Sequence, residues 1–176
     1  GIRNRPVRAM VAGIPNVGKS TFINSFAGKA CTKTGNKPGV TKGKQWIRLN
    51  KGLELLDTPG ILWPKFEDQT VGMHLAFIGS INDEIVVMEE LALELASYLL
   101  SRYPAAFQER YGFETDGTPL QLLEQAAERM KCYKKGGEAD LSRVSRLIMD
   151  DFRSGKLGRI SLEWPDAENE GKACAL

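Results

Sequence analysis

The chain has 176 residues, 42% of them apolar, with 24 Lys and Arg against 22 Asp and Glu. That is enough to bury a core in one ordinary domain, or one and a half small ones, and it argues against a disulfide scaffold or a mostly disordered chain. The net charge of +2 hides an asymmetry, because residues 1–53 hold eleven basic residues and no acidic one while the remainder carries −9. A block with no carboxylate is expected to hold something anionic.

Three cysteines, Cys31, Cys132 and Cys174, are an odd number in no metal-ligand spacing, which fits free thiols in a reducing compartment and a cytoplasmic protein. The single histidine, His74, leaves too few parts for a His-based zinc site or a Ser-His hydrolase. It lies in an apolar stretch and is expected to be structural. No apolar run approaches the roughly 18 residues that would span a bilayer. The start, Gly1-Ile2-Arg3-Asn4-Arg5, lacks the apolar core of a signal peptide and an initiator Met, so the chain is expected to be a piece of a longer one.

In chain order, Val7 to Ala12 is a short apolar run, Gly13 follows, and Ser20 to Ala27 has helical apolar spacing. This predicts strand, glycine loop, helix. Residues 28–43 are rich in Gly, Lys, Thr, Asn and Pro and read as a loop; Gln45 to Leu49 and Leu53 to Leu56 read as strands joined near Asn50-Lys51-Gly52. Asp57 then sits at a strand end.

Beyond Gly79 the pattern is helical. Asn82 or Asp83 can cap a helix with Met88, Leu91, Ala92, Leu95 and Leu99 on one face, and Pro104 can open a short helix that stops at Gly112. Thr118-Pro119-Leu120-Gln121 has the form of a capping box, followed by Leu123, Ala126, Ala127 and Met130 up to Gly136-Gly137. Asp140 caps a last helix with Leu141, Val144, Ile148 and Phe152 inward, ended by Gly155.

Gly13-Ile14-Pro15-Asn16-Val17-Gly18-Lys19-Ser20 fits G-x-x-x-x-G-K-[ST] and lies between a predicted strand and a predicted helix, the context that a P-loop needs. Backbone N–H groups there converge on phosphate oxygens, Lys19 reaches the β- and γ-phosphates, and Ser20 offers a hydroxyl to Mg²⁺. Asp57-Thr58-Pro59-Gly60 is a D-x-x-G in which the carboxylate can hold the metal through water and the Gly60 N–H can bind a γ-phosphate. Between them, Pro38-Gly39-Val40-Thr41 offers a threonine hydroxyl that completes the metal shell when the γ-phosphate is present. In this order the pieces describe a triphosphate switch.

The stretches GIPNVGKSTFIN (Gly13 to Asn24), KTGNKPGVTKGKQW (Lys33 to Trp46) and ELLDTPGILWPKFED (Glu54 to Asp68) resemble the circularly permuted ribosome-assembly GTPases, most closely the ribosome biogenesis GTPase A or YlqF type. The likeness runs more loosely through YPAAFQERYG at Tyr103 to Gly112 and GKLGRISLEWP at Gly155 to Pro165. It implies that Asn16, Val17, Gly18, Lys19, Ser20 and Thr21 hold GTP or GDP, that Ser20, Thr41 and Asp57 serve Mg²⁺, and that Lys19, Thr41, Gly60 and Asn16 assist hydrolysis. No N-K-x-D element follows D-x-x-G. In the permuted family the base-reading elements precede the P-loop, so the expectation is a chain that begins downstream of them.

Many GTPases place a glutamine after this D-x-x-G to orient the attacking water, but Ile61 stands here, which implies slow intrinsic hydrolysis. Asn16 matches the P-loop asparagine that in related potassium-dependent GTPases helps coordinate K⁺; a loop-stabilising amide is the plainer alternative. Only Lys19 among the eleven basic residues of the first block has a nucleotide role. The surplus, Arg3, Arg5, Arg8, Lys29, Lys33, Lys37, Lys42, Lys44, Arg48 and Lys51, suits RNA phosphates or a plain solvated loop, as do Arg143, Arg146, Arg153, Lys131, Lys134 and Lys135 in the helical half.

The expectation is therefore an α/β P-loop GTPase core over residues 1–82, incomplete at its N-terminus, an all-α RNA-binding domain over 83–165 and a polar tail over 166–176. The implied function is a ribosome-stimulated GTPase that assembles the large (50S) ribosomal subunit by touching rRNA and ribosomal proteins, with no membrane partner. The alternatives are a GTP-dependent RNA-binding scaffold with negligible hydrolysis and another P-loop ATPase.

Overall fold

The computed structural model describes residues 5–35, 39–63, 65–114 and 116–164. It separates into two compact units, Gly1–Leu91 and Ala92–Leu176, a division that falls within a helix. Pro38, Cys174 and the polar tail lie outside the described residues.

The first unit is a three-stranded sheet in the order β1-β3-β2, with β1 at Val7–Val11, β2 at Gln45–Asn50 and β3 at Leu53–Asp57. β1 runs parallel to β3, as a strand-loop-helix crossover requires, whereas β2 and β3 form an antiparallel hairpin in which Asn50 Oδ1 accepts from the Gly52 N–H at 2.8 Å. Helix α1, Lys19–Ala27, lays the buried Ile23 on Ile47 and Leu55, with Val11, Cys31, Leu49 and Leu53 around them. This small core fixes the ends of β1 and β3, from which the P-loop and the D-x-x-G segment emerge.

Helix α2, Gln69–Phe77, is absent from the sequence reading. Its apolar residues Val71, Met73, Leu75 and Phe77 fall at every second position, a strand-like period, and the helix is set instead by its cap: Asp68 Oδ1 accepts from the Thr70 N–H at 2.7 Å. The His74 ring lies 6.2 Å from that of Phe77. Past Asn82 a single 3₁₀ turn, Asp83–Ile85, precedes α3 at Met88–Arg102, so the expected helix starts five residues late.

The second unit contains most of α3, then α4 at Ala105–Tyr111, α5 at Pro119–Arg129 and α6 at Leu141–Arg153. Both halves of the Thr118 capping box form. α5 ends at Arg129, earlier than Gly136, because Lys131 turns left-handed (φ 53°) into a hairpin bridged by Tyr133 and Ala139. On α6, Val144 and Ile148 are fully buried but Leu141 and Phe152 are only half-buried; Met149 and, unexpectedly, Asp151 take the inward places. Arg110 at 2.8 Å, Lys156 at 2.9 Å and the Tyr111 hydroxyl at 3.2 Å donate to the Asp151 carboxylate, which is what lets a charge sit there. Arg143 and Arg146 are exposed and Arg153, on the same side of the helix by its spacing, is half-buried. The segment after α6 is tied back by Ser161, whose carbonyl accepts from Tyr98 at 2.7 Å and Tyr103 at 3.2 Å.

Candidate functional site

β1 stops at Val11 because the chain must turn sharply into α1. Gly18 makes that turn in the left-handed region (φ 84°), where a side chain would be strained, and serves as the helix N-cap. Asn16 adopts the same region at φ 57° without being glycine, an unusual backbone state that clusters at functional loops. The result is a backbone nest at a helix N-terminus, a ready anion site. Lys19 Nζ reaches back over the loop and donates to the carbonyls of Ile14 at 2.7 Å and Gly13 at 3.2 Å. Loss of water around it lowers its pKa from the ordinary lysine value, opposed by the charge of Asp57.

Three oxygens from separate segments converge beside that lysine. Ser20 Oγ lies 3.2 Å from Thr41 Oγ1 and donates to Asp57 Oδ2 at 3.2 Å. Asp57 is 1% exposed, and its other oxygen, Oδ1, is buried without a hydrogen-bond donor among the described residues. An ionised oxygen left so is costly. Two hydroxyls and a half-satisfied carboxylate are the oxygen-only donor set of a hard divalent cation that keeps several waters, so Ser20, Thr41 and Asp57 fit Mg²⁺.

The D-x-x-G segment is pressed onto the P-loop. A Cβ at Gly60 would stand 2.4 Å from Pro15 Cα, so only glycine fits. The Ile61 N–H donates to Gly13 O at 3.3 Å, and Thr58 Oγ1 donates to Val11 O at 2.8 Å. Asn16, Gly18, Lys19, Ser20, Thr21, Thr41 and Gly60 all line one cleft of about 310 Å³. Val17 is not among its lining residues and turns its side chain to solvent, so it can offer only backbone.

Several contributors were not legible in the sequence. Ser80 is buried and donates to the Pro15 carbonyl at 2.6 Å from beyond α2, delivered by the left-handed Gly79. Asn24 Oδ1 accepts from the Cys31 and Thr32 N–H groups, both at 2.8 Å, and its amide donates to Thr32 O at 2.9 Å, which fixes where the loop toward Thr41 begins. Lys33 and Thr34 line the cleft, so Lys33 belongs with the phosphate site rather than with the surplus cations. For Asn24 the one available signal is its place at the end of the GIPNVGKSTFIN stretch. Ser80 has none.

A family profile described as 50S ribosome-binding GTPase matches residues 8–106, which include every residue of this cleft. The chain is 44% identical to ribosome biogenesis GTPase A of Bacillus cereus over 97% of its own length and 58% of that protein's. It is 33% identical to the Thermotoga maritima protein of the same name, over 93% and 58%. Among solved structures, a GDP-bound TM YlqF shares 29% identity with a TM-score of 0.62, over 93% of this chain and 63% of that one. A GNP-bound YlqF from T. maritima shares 31% with a TM-score of 0.60, over 91% and 60%. The chain thus spans a little under three fifths of the curated relatives named, and on the profile match across more than half of its residues it belongs to the 50S ribosome-binding GTPase family.

Proposed function

We propose that this protein is a GTP-hydrolysing assembly factor for the large ribosomal subunit, and that residues 5–80 form the phosphate and switch part of its nucleotide site. The observation that carries the reading is the meeting of Ser20, Thr41 and Asp57 beside the P-loop, with one buried carboxylate oxygen left without a donor among the described residues. When bound, Mg²⁺ neutralises charge on the β- and γ-phosphates. The P-loop N–H groups cradle those phosphates, and Lys19 exchanges its two loop carbonyls for phosphate oxygens. Thr41 arrives from a loop and Gly60 from a strand end, so both can report the γ-phosphate. Ile61 is 75% exposed and aliphatic, and cannot orient the attacking water. A group outside this cleft supplies that orientation, which makes unstimulated turnover slow.

Guanine selection lies outside these residues, since the sequence holds no N-K-x-D. β1 supports the view that more of the sheet belongs here: parallel strands are normally buried on both faces, yet Val7 and Met10 are 66% and 64% exposed and β1 is a sheet edge. In the second unit, Arg143 and Arg146 line an open groove with Asp140 and Ser142, a surface suited to rRNA phosphates. Asn16, at the loop tip, is the group that would place K⁺ near the developing charge. Potassium should therefore accelerate hydrolysis where sodium does not, and equal rates in the two salts would remove that role.

The test is GTP turnover by the complete protein with and without large subunits, with ATP as competitor. Subunit-stimulated turnover that ATP does not inhibit is expected. Ile61 favours one rival, an RNA-binding scaffold that holds GTP with negligible hydrolysis. Turnover that stays at background on subunits would establish that rival, and equal competition by ATP would replace GTP as the substrate.

A further inference from the structure

α1 covers only one face of the sheet. Strand register places Trp46, Leu56 and Met10 in one row across the other face and Arg48, Glu54 and Arg8 in the next. Trp46 is 51% exposed on β2, the edge opposite β1, so strands added beyond β1 would leave it open. The Arg8 guanidinium stands 5.1 Å from the Trp46 ring centroid while its Nε donates to Glu54 at 3.0 Å. That ion pair neutralises Glu54, the one carboxylate among the described residues of this sheet face, and holds the cation against the indole. Arg48 follows on the same side of β2, about 7 Å along the strand. Lys44 before the strand and Lys51 in the turn after it are exposed, and residues 1–53 contain no acid.

We propose that this outer face of β2 is a docking platform for an unpaired segment of RNA, in which one base stacks on Trp46 and flanking phosphates lie on Arg48 and Lys44. The inference rests on the ribosome-assembly reading and adds where, and in what form, RNA is held. Charge complementarity selects a polyanion. A flat indole backed by a guanidinium selects a base plane over the sugar-phosphate surface of a duplex, because stacking is available only to unpaired bases. β2 leads through its hairpin partner directly to Asp57, so RNA held here lies on the strand pair that carries the metal carboxylate.

The experiment titrates the complete, GTP-bound protein with a labelled single-stranded oligoribonucleotide of about 12 nucleotides and with its duplex. Trp46→Ala should weaken single-strand binding roughly tenfold or more, with duplex binding and GTP affinity unchanged, and Trp46→Phe should stay within about threefold of wild type. Arg48→Ala should reduce the salt slope by about one. Single-strand binding unaffected by Trp46→Ala, equal losses for Trp46→Phe and Trp46→Ala, or preference for an acidic peptide over RNA would each overturn the platform. A Trp46→Ala protein that loses oligonucleotide affinity yet binds large subunits like wild type would overturn its role on the ribosome and leave the assembly reading standing. Wild-type protein that binds no subunits would remove both.

Discussion

Gly60→Ala isolates the contact between the D-x-x-G segment and the P-loop. The added carbon would lie 2.4 Å from Pro15 Cα, 2.5 Å from Pro15 N and 2.9 Å from Ile14 C, all backbone atoms that cannot rotate aside. Ordinary carbon contacts are about 3.5 Å, so the two segments must part by about 1 Å. The Pro15 side is held by Ser80 Oγ at 2.6 Å, so the segment that retreats is the one carrying residues 60 and 61, at the cost of the Ile61 N–H bond to Gly13. Overpacking of this kind costs about 1–3 kcal/mol, and a displacement near 1 Å in a catalytic constellation costs about 100-fold in rate. Fluorescent-nucleotide titration and single-turnover GTP hydrolysis in the complete protein read the two effects separately. GDP affinity should change by less than about tenfold because the cradle is untouched, whereas GTP affinity and turnover should fall by about 100-fold. A variant that keeps its preference for GTP over GDP and turns over within about threefold of wild type would show that Gly60 does not meet the γ-phosphate.

Asp57→Asn keeps the shape of the site and removes the charge, and should weaken the Mg²⁺ dependence of nucleotide binding by about 10–100-fold; identical Mg²⁺ titrations by calorimetry would exclude the carboxylate from the metal's surroundings. Ser80→Ala leaves the half-buried Pro15 carbonyl without the Ser80 donor and should cost about 1 kcal/mol in a denaturant unfolding curve, against which a loss under about 0.3 kcal/mol would refute the strut. In the second unit, burial pushes the Asp151 carboxyl up, but hydrogen bonds and charges from Arg110 and Lys156 outweigh it and hold it below the ordinary carboxylate value. A depressed folded pKa gives stability that is present above the unfolded value of about 3.9 and is lost as pH falls through the folded one. Acid unfolding below about pH 4 should be steeper for wild type than for Asp151→Asn, and parallel curves would show that the buried carboxylate is not linked to folding.

What could be read from the sequence is what depends on neighbours in the chain. The P-loop, the β2–β3 hairpin and the Thr118 box are each specified within eight to twelve residues, and they stand within one or two residues of where periodicity and capping chemistry place them. α2 was hidden because its alternating apolar residues give no helical stripe and Asp68, its cap, carries the signal alone. Phe152 continues the Val144–Ile148 stripe by helical spacing, yet Asp151 is the residue taken inward, since Arg110, 41 residues away, compensates its charge. No local pattern contains that pair. The same holds for Ser80 and Pro15, 65 residues apart: the P-loop motif marks Pro15, but nothing around Ser80 points to it.

Those long-range contacts decide how a change at the γ-phosphate could spread. Pro15 touches Gly60 on one side and Ser80 on the other, so the segment between them, which includes all of α2, is pinned to the P-loop at both ends. α2 cannot swing as a rigid arm about either end without breaking a backbone contact or a 2.6 Å hydrogen bond. A displacement that begins at Gly60 must then be absorbed before the Asp68 cap, in the stretch where Ile61 and Trp63 stand 75% and 66% exposed. Two large apolar side chains without cover at the compliant end of a pinned segment make the exposed apolar surface, and not the position of the helix, the quantity that nucleotide state can change. Loss of the Ser80 anchor would move the compliance to the far end of α2, so Ser80→Ala should blunt the difference between GTP and GDP in protease accessibility at residues 61–68 and raise it after Phe77. Unchanged cleavage patterns in that variant would place the hinge elsewhere.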